Sequence, residues 1–178
     1  YKTPEVDCLI ERYVKQKANV SELRPYILTH QQFHRIYFYV SLEQIKEADR
    51  RMSFIHENLL FSDWWHTDQL IRYVRDLDFH TAMQYAKEYI HSEDPFIRRW
   101  GYVLFISKLC RGHEKEILQL MHNDEEYYVQ MAVAWLISIC YIKYPSVTTK
   151  YIMNNKLDDF THNKAIQKIR ESYMVSSE

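Results

Sequence analysis

Apolar residues recur at helical spacing along most of this chain. In the segment FIRRWGYVLFISKL, which follows Pro95, Ile97, Trp100, Val103, Leu104 and Leu109 form one stripe. In EEYYVQMAVAWLISIC the stripe is Val129, Ala132, Val133, Leu136 and Cys140. Steps of three and four place such residues on one face of an α-helix. Asp94 before Pro95 reads as an N-cap followed by proline at the first helical position. Asp158-Asp159 reads as the cap of a helix opening near Thr161, and Glu125-Glu126 as acids in a helical first turn. The pattern predicts long helices over 62–75, 95–109, 126–140 and 161–173, with shorter ones over 80–91, 114–122 and 146–154. Helices over 5–17, 22–28 and 31–59 are predicted upstream, the last as either one helix or two.

These segments repeat. Ile97-Arg98-Arg99 aligns with Val129-Gln130-Met131, and the same offset carries Leu104 to Leu136. A further step of nearly the same length carries Ala132 to Ala165, and a slightly longer one separates Trp64 from Arg99. A period of roughly thirty residues, alternating long and short helices, is the signature of a HEAT-like helical repeat. The expected fold is therefore all-α, a solenoid with a concave face, forming a single domain over 1–178. The chain opens on Tyr1 rather than Met, so an N-terminal segment before it is expected.

Composition sharpens this picture. Among 178 residues there are only 2 Gly and 4 Pro, where average usage would give about a dozen glycines. Rossmann turns, P-loops and nucleophile elbows need several glycines at fixed spacing, so these are excluded. Sandwiches and barrels need many Gly/Pro turns. No apolar run reaches the length of a membrane helix. Cys8, Cys110 and Cys140 are far apart with no CxxC, and read as reduced core thiols in a cytoplasmic protein. Lys plus Arg is 23 against 24 for Asp plus Glu, a net of -1, without the basic excess of most nucleic-acid binders.

Several residues could carry chemistry. Trp64 and Asp68 are four apart, one above the other on a helix. By the repeat offsets, Arg99 and Trp135 fall near the same level of successive helices. Two indoles, a carboxylate and a guanidinium suit a planar cationic ligand: indole faces attract a cation, the carboxylate stabilises positive charge, and arginine grips phosphate. Bland readings stand beside these. Trp64 and Trp135 could be core aromatics, as Trp65 and Trp100 are expected to be. Asp68 could pair with Arg72 on a solvated face, and Arg99 could be a surface charge. The tyrosines (Tyr37, Tyr39, Tyr127, Tyr128 and others) read as packing residues with wet hydroxyls. His30 and His34 have ligand spacing but no third ligand, so no metal is expected.

The runs Trp64-Trp65-His66-Thr67-Asp68, Ile97-Arg98-Arg99, Tyr128-Val129-Gln130-Met131-Ala132-Val133-Ala134-Trp135-Leu136 and Asn163-Lys164-Ala165-Ile166-Gln167-Lys168-Ile169 resemble the AlkD-type DNA alkylation repair family over residues 61–174. The resemblance implies a HEAT-like-repeat DNA glycosylase that needs no metal or organic cofactor. It would hydrolyse the N-glycosidic bond of cationic alkylpurines, 7-methylguanine and 3-methyladenine. It maps the catalytic carboxylate onto Asp68, the aromatic walls onto Trp64 and Trp135, and the backbone-gripping arginine onto Arg99. Phosphate contacts are expected from Arg72, Arg98, Lys164 and Lys168, each adding salt-dependent affinity. The implied partner is double-stranded, alkylated DNA, bound by a cytoplasmic monomer that joins the nucleoid on DNA. Two alternatives remain open: a catalytically silent DNA-structure-binding paralogue, and a protein-binding scaffold.

Overall fold

The structure is a computed structural model that describes residues 3–107 and 111–172; the expected roles of Leu109, Cys110 and Tyr173 lie outside that range. The described chain is all-α, with no strand. It forms two compact units, Tyr1–His66 and Thr67–Glu178.

In the first unit, α1 (Thr3–Lys15) packs on α2 (Gln31–Glu43), with a 3₁₀ turn (Ser21–Tyr26) between them and α3 (Ala48–Glu57) after. The apolar stretch over 31–59 is thus two helices. No glycine or proline separates them; side chains satisfy the open carbonyls of the break instead. Arg51 Nη1 donates to the carbonyls of Ile45 and Lys46, and Gln44 Nε2 to that of Val40. Asn58 is the polar hub of the unit. Its Oδ1 accepts from Arg24 Nε and from the Tyr37 hydroxyl, both at 2.9 Å, and its Nδ2 donates to the Phe54 carbonyl. His30 caps α2, its Nδ1 accepting from Gln32 N–H. His34 is instead buried, its ring stacked on His66 with centroids 3.8 Å apart. His34 Nε2 donates to the Leu60 carbonyl, and His66 Nδ1 accepts from Ser62 N–H. No cluster of metal-ligating side chains occurs among the described residues.

In the second unit the helices α6 (Phe79–Tyr89), α7 (Pro95–Val103), α9 (Tyr127–Lys143) and α11 (Asp159–Glu171) pack in sequence, each on the next. The last three begin at even spacing, at Pro95, Tyr127 and Asp159, an arrangement compatible with a repeat stack. Asp94 and Asp158 do cap α7 and α11, accepting from Phe96 and Ile97 N–H and from Thr161 N–H respectively. Glu126 stands at the N-cap of α9 without a side-chain bond. Helix α9 is apolar on nearly every side because α7, α10 (Pro145–Asn154) and α11 cover it. Short helix α8 (Glu114–Leu118) leans on α10.

The connections before these helices are laced by side chains. Arg98 holds Asp124 with two parallel bonds of 2.7 and 3.1 Å and donates Nη1 to the carbonyls of Ser92 and Glu93. Asn123 accepts from Asp158 N–H and donates to the Lys156 carbonyl.

Several expectations are corrected. The helix expected over 62–75 is α4 (Trp64–Asp68) and α5 (Ile71–Val74), joined by a tight turn in which Leu70 N–H reaches the Thr67 carbonyl. The buried positions Leu70, Tyr73, Val74 and Leu77 keep helical spacing across the break, so periodicity alone cannot reveal it. Helix α7 likewise tightens into a 3₁₀ turn at Leu104–Ile106. Of the thiols, Cys140 is buried but Cys8 is exposed. Tyr127 and Tyr128 are exposed as well, whereas Tyr37 is packed inside. Trp100 is fully buried, and Trp65 half-buried. No described helix is long and apolar enough to cross a membrane.

Two predictions come from this packing. A Cβ at Gly101 would lie 2.8 Å from Ile90 Cγ2 and 3.1 Å from the Ile90 backbone nitrogen. Gly101→Ala should therefore cost about 1–3 kcal/mol of overpacking, less the ~1 kcal/mol gained from helix propensity; chemical denaturation should show a net loss. Burial lowers the pKa of His34 to about 2, with His66 adding to the effect, and burial lowers that of His66 to about 4. Both rings fold neutral, so below pH ~6.5 the unfolded chain binds more protons than the native one. Stability should be full above that pH and fall on acidification towards 4, by up to about 1.4 kcal/mol per pH unit for each histidine. Denaturant titrations between pH 7 and 5 check this, and His66→Gln should flatten the slope.

Candidate functional site

Asp68 is the last residue of α4, and it is held by Thr67 beside it and by Arg99 of another helix, α7. Arg99, in the middle of α7, directs Nη2 to Asp68 Oδ1 at 2.7 Å and Nε to Thr67 Oγ1 at 3.1 Å. The Thr67 hydroxyl donates in turn to Asp68 Oδ1 at 3.1 Å, closing a ring of three side chains. Arg99 Nη1 donates to the Tyr128 carbonyl in the first turn of α9, at 2.7 Å. The guanidinium is thus engaged through all three nitrogens.

Burial makes this arrangement consequential. The Arg99 side chain is only 5% exposed, that of Asp68 21%, and Thr67 is fully buried. A buried guanidinium is tolerable only when its donors and its charge are matched. Thr67, Asp68 and the Tyr128 carbonyl supply that match, and the carboxylate stays partly open to solvent. The surface-charge reading of Arg99 is corrected by its burial, and Asp68 is fixed by Arg99, across the helix stack.

The other expected residues fall into different settings. Trp64 opens α4, one turn before Asp68, and is 44% exposed. Trp135 is half-buried on α9, the helix whose first turn receives Arg99. Lys164 and Lys168 lie one turn apart on α11. Burial lowers the Lys168 pKa; Glu171 and Asp68 act against this, while Arg99 and Lys164 add to it. Lys168 therefore stands close enough to Asp68 and Arg99 for the charges to act on each other. Lys164 Nζ donates to Gln167 Oε1 at 2.9 Å. Arg72 is exposed and lies over the Tyr73 ring, 4.7 Å from its centroid. Arg98, expected at phosphate, is the exception: its guanidinium is committed inside the protein to Asp124 and two carbonyls. Burial alone would raise the Asp124 pKa, but the Arg98 hydrogen bonds hold it below the usual carboxylate value.

Sequence reasoning missed Thr67. Its signal was present: it lies one repeat step before Arg99 and immediately precedes Asp68. A β-branched hydroxyl there is pinned in rotamer and offers both an acceptor and a donor, which the ring uses.

The sequence pattern of the DNA alkylation repair enzymes matches residues 2–169. The chain belongs to that family. No curated protein matches it. The match to the DNA alkylation repair family spans both compact units.

In this family member, removing the guanidinium should be costly because it takes the counter-charge from Asp68 and a donor from both the Thr67 hydroxyl and the Tyr128 carbonyl. Arg99→Met should lower stability by about 3 kcal/mol or more, in the range for breaking a buried ion pair. Substitution at the exposed Arg75–Asp76 pair should change it by less than ~1 kcal/mol. Urea denaturation compares the two, and a cycle with Asp68→Asn should reveal positive coupling.

Proposed function

We propose that this chain is a DNA glycosylase of AlkD type, hydrolysing the N-glycosidic bond of cationic alkylpurines in double-stranded DNA. The observation that carries this reading is the fixed carboxylate. Both hydrogen bonds from Thr67 and Arg99 go to Asp68 Oδ1, which leaves Oδ2 for substrate.

Alkylation at N7 of guanine or N3 of adenine places positive charge on the base. When the C1′–N bond breaks, its electron pair goes to the base, which leaves neutral. The positive charge passes to an oxocarbenium-like sugar, as in other glycosidic cleavages. An ionised Asp68 beside C1′ stabilises that charge as it develops, from a position already paid for by folding. Water then adds to C1′ and gives up a proton, for which Asp68 Oδ2 is the acceptor. Arg99 works in this scheme as a positioning residue for the carboxylate. For it to hold a DNA phosphate, the role the resemblance implies, it would have to give up one of its internal bonds. The resemblance assigns the cationic base to the indole faces of Trp64 and Trp135. Arg72, Lys164 and Lys168 supply phosphate contacts from side chains, with Arg98 left out because its donors are already used. The reaction calls for no metal or organic cofactor, and the protein would act as a monomer on nucleoid DNA.

The test is release of free 7-methylguanine or 3-methyladenine from alkylated duplex DNA. Asp68→Asn should cut release by about 10²-fold or more, in keeping with loss of one electrostatic stabiliser. Thr67→Val should reduce kcat with little change in KM. Release undiminished in Asp68→Asn would overturn the assigned role. The net charge of -1 lacks the basic excess of most duplex binders and favours a second reading, a protein-binding scaffold. Absence of duplex binding at low salt would select it, whereas salt-dependent duplex binding without base release would select a silent DNA-structure binder.

A further inference from the structure

The first turns of α7, α9 and α11 carry a feature that the proposed reaction does not use. Phe96, Tyr128 and Phe160 are each the second residue of their helix, one repeat step from the next. Their rings, with Tyr127, make an unbroken series. Phe96 meets Tyr128 at 5.9 Å between centroids, Tyr128 meets Tyr127 at 5.2 Å, and Tyr127 meets Phe160 at 5.9 Å. This ridge is open: Tyr127 is 52% exposed, Tyr128 40% and Phe160 38%. Contiguous exposed aromatic surface of this kind marks an interaction site more often than a solvated one.

Its charge says what would cover it. Glu125, Glu126 and Asp159 are exposed and lie within two residues of the exposed rings along the chain. None of the three pairs directly with a described cation, and Glu126 acts on Arg98 only at longer range. With Lys164 one turn further along α11, the exposed charges within two residues of the exposed rings are all acidic, so a cation gains twice, from the carboxylates and from the ring faces. The chain already uses one ring this way: Lys164 Nζ sits 5.8 Å from the Phe160 centroid. Arginine fits both demands, since its plane stacks on tyrosine and its fork pairs with carboxylate.

We propose that this aromatic–acidic ridge docks an arginine-rich segment of a partner protein. The contact is made by side chains of the ridge and does not rest on the chemistry at Asp68, although the Tyr128 backbone also holds Arg99. Tyr127 is the central ring, because it alone touches both Tyr128 and Phe160, and so it carries most of the affinity.

The test is calorimetric titration of the intact protein with a capped octapeptide alternating arginine and serine, at low and at physiological salt. Capped peptides alternating lysine and serine, and glutamate and serine, and the oligonucleotide dT12 serve as comparisons. The expected result is saturable 1:1 binding of the arginine peptide, tighter than the lysine peptide. Tyr127→Ala should weaken it about tenfold, and Glu125→Gln with Glu126→Gln should weaken it and flatten its salt dependence. Thermal melts establish that these surface variants are folded. No binding at low salt overturns the proposal. So does binding that Tyr127→Ala leaves unchanged, which would be plain polyelectrolyte attraction. Binding of dT12 that is lost in Tyr127→Ala overturns it in favour of unpaired nucleic acid.

Discussion

A permanently charged guanidinium buried among helices leaves a protein little freedom. Arg99 cannot shed its proton, so its surroundings must supply acceptors at fixed directions or the fold loses several kcal/mol. Here those acceptors come from three places in the chain: a hydroxyl and a carboxylate at the end of α4, and a backbone carbonyl at the start of α9. Satisfying one side chain therefore fixes the end of α4, the middle of α7 and the first turn of α9. The carboxylate with the best claim to chemistry is held by the same bonds. Fold and candidate site share a single electrostatic requirement.

Around that requirement the stack is assembled with side chains in place of tight turns. A chain with two glycines has little access to backbone turns that need positive φ; among the described residues only Lys17 and Gly112 adopt it. The connections are instead fastened by Arg98 on Asp124, by Asn123 on Asp158, and by Asp94 and Asp158 as caps. Charge is also sorted along α11. Its first turn carries acid and an exposed ring, while Lys164 and Lys168 follow one and two turns later. A net charge near zero thus conceals an uneven distribution along this helix, which whole-chain composition averages away.

Local features were legible in the sequence. The caps at Asp94 and Asp158 follow from residue chemistry within a few positions. The stripe on α9 and the burial of Trp100 follow from period and size. Long-range choices were not legible. Arg98 and Arg99 are adjacent and chemically identical, yet one staples two connections and the other enters the stack, because only their angular position relative to α9 and α4 differs. The stacking of His34 on His66 brings together residues from separate helices that no local pattern links. The break between α4 and α5 was hidden because the buried residues keep their spacing through it. Asp68 was identified by its place in a family pattern; Thr67, which holds it, needed the geometry.

The bond from Arg99 to the Tyr128 carbonyl also bears on how this sequence can diverge. A backbone acceptor is indifferent to which residue occupies position 128, so substitution there leaves the clamp intact. It is not indifferent to length. One residue added or removed between Asp124 and Tyr127 would turn the first carbonyls of α9 by about 100° and aim a different one, or none, at the guanidinium. Drift in this region should therefore run through exchanges of side chain at constant length, while insertions collect in connections that carry no such bond.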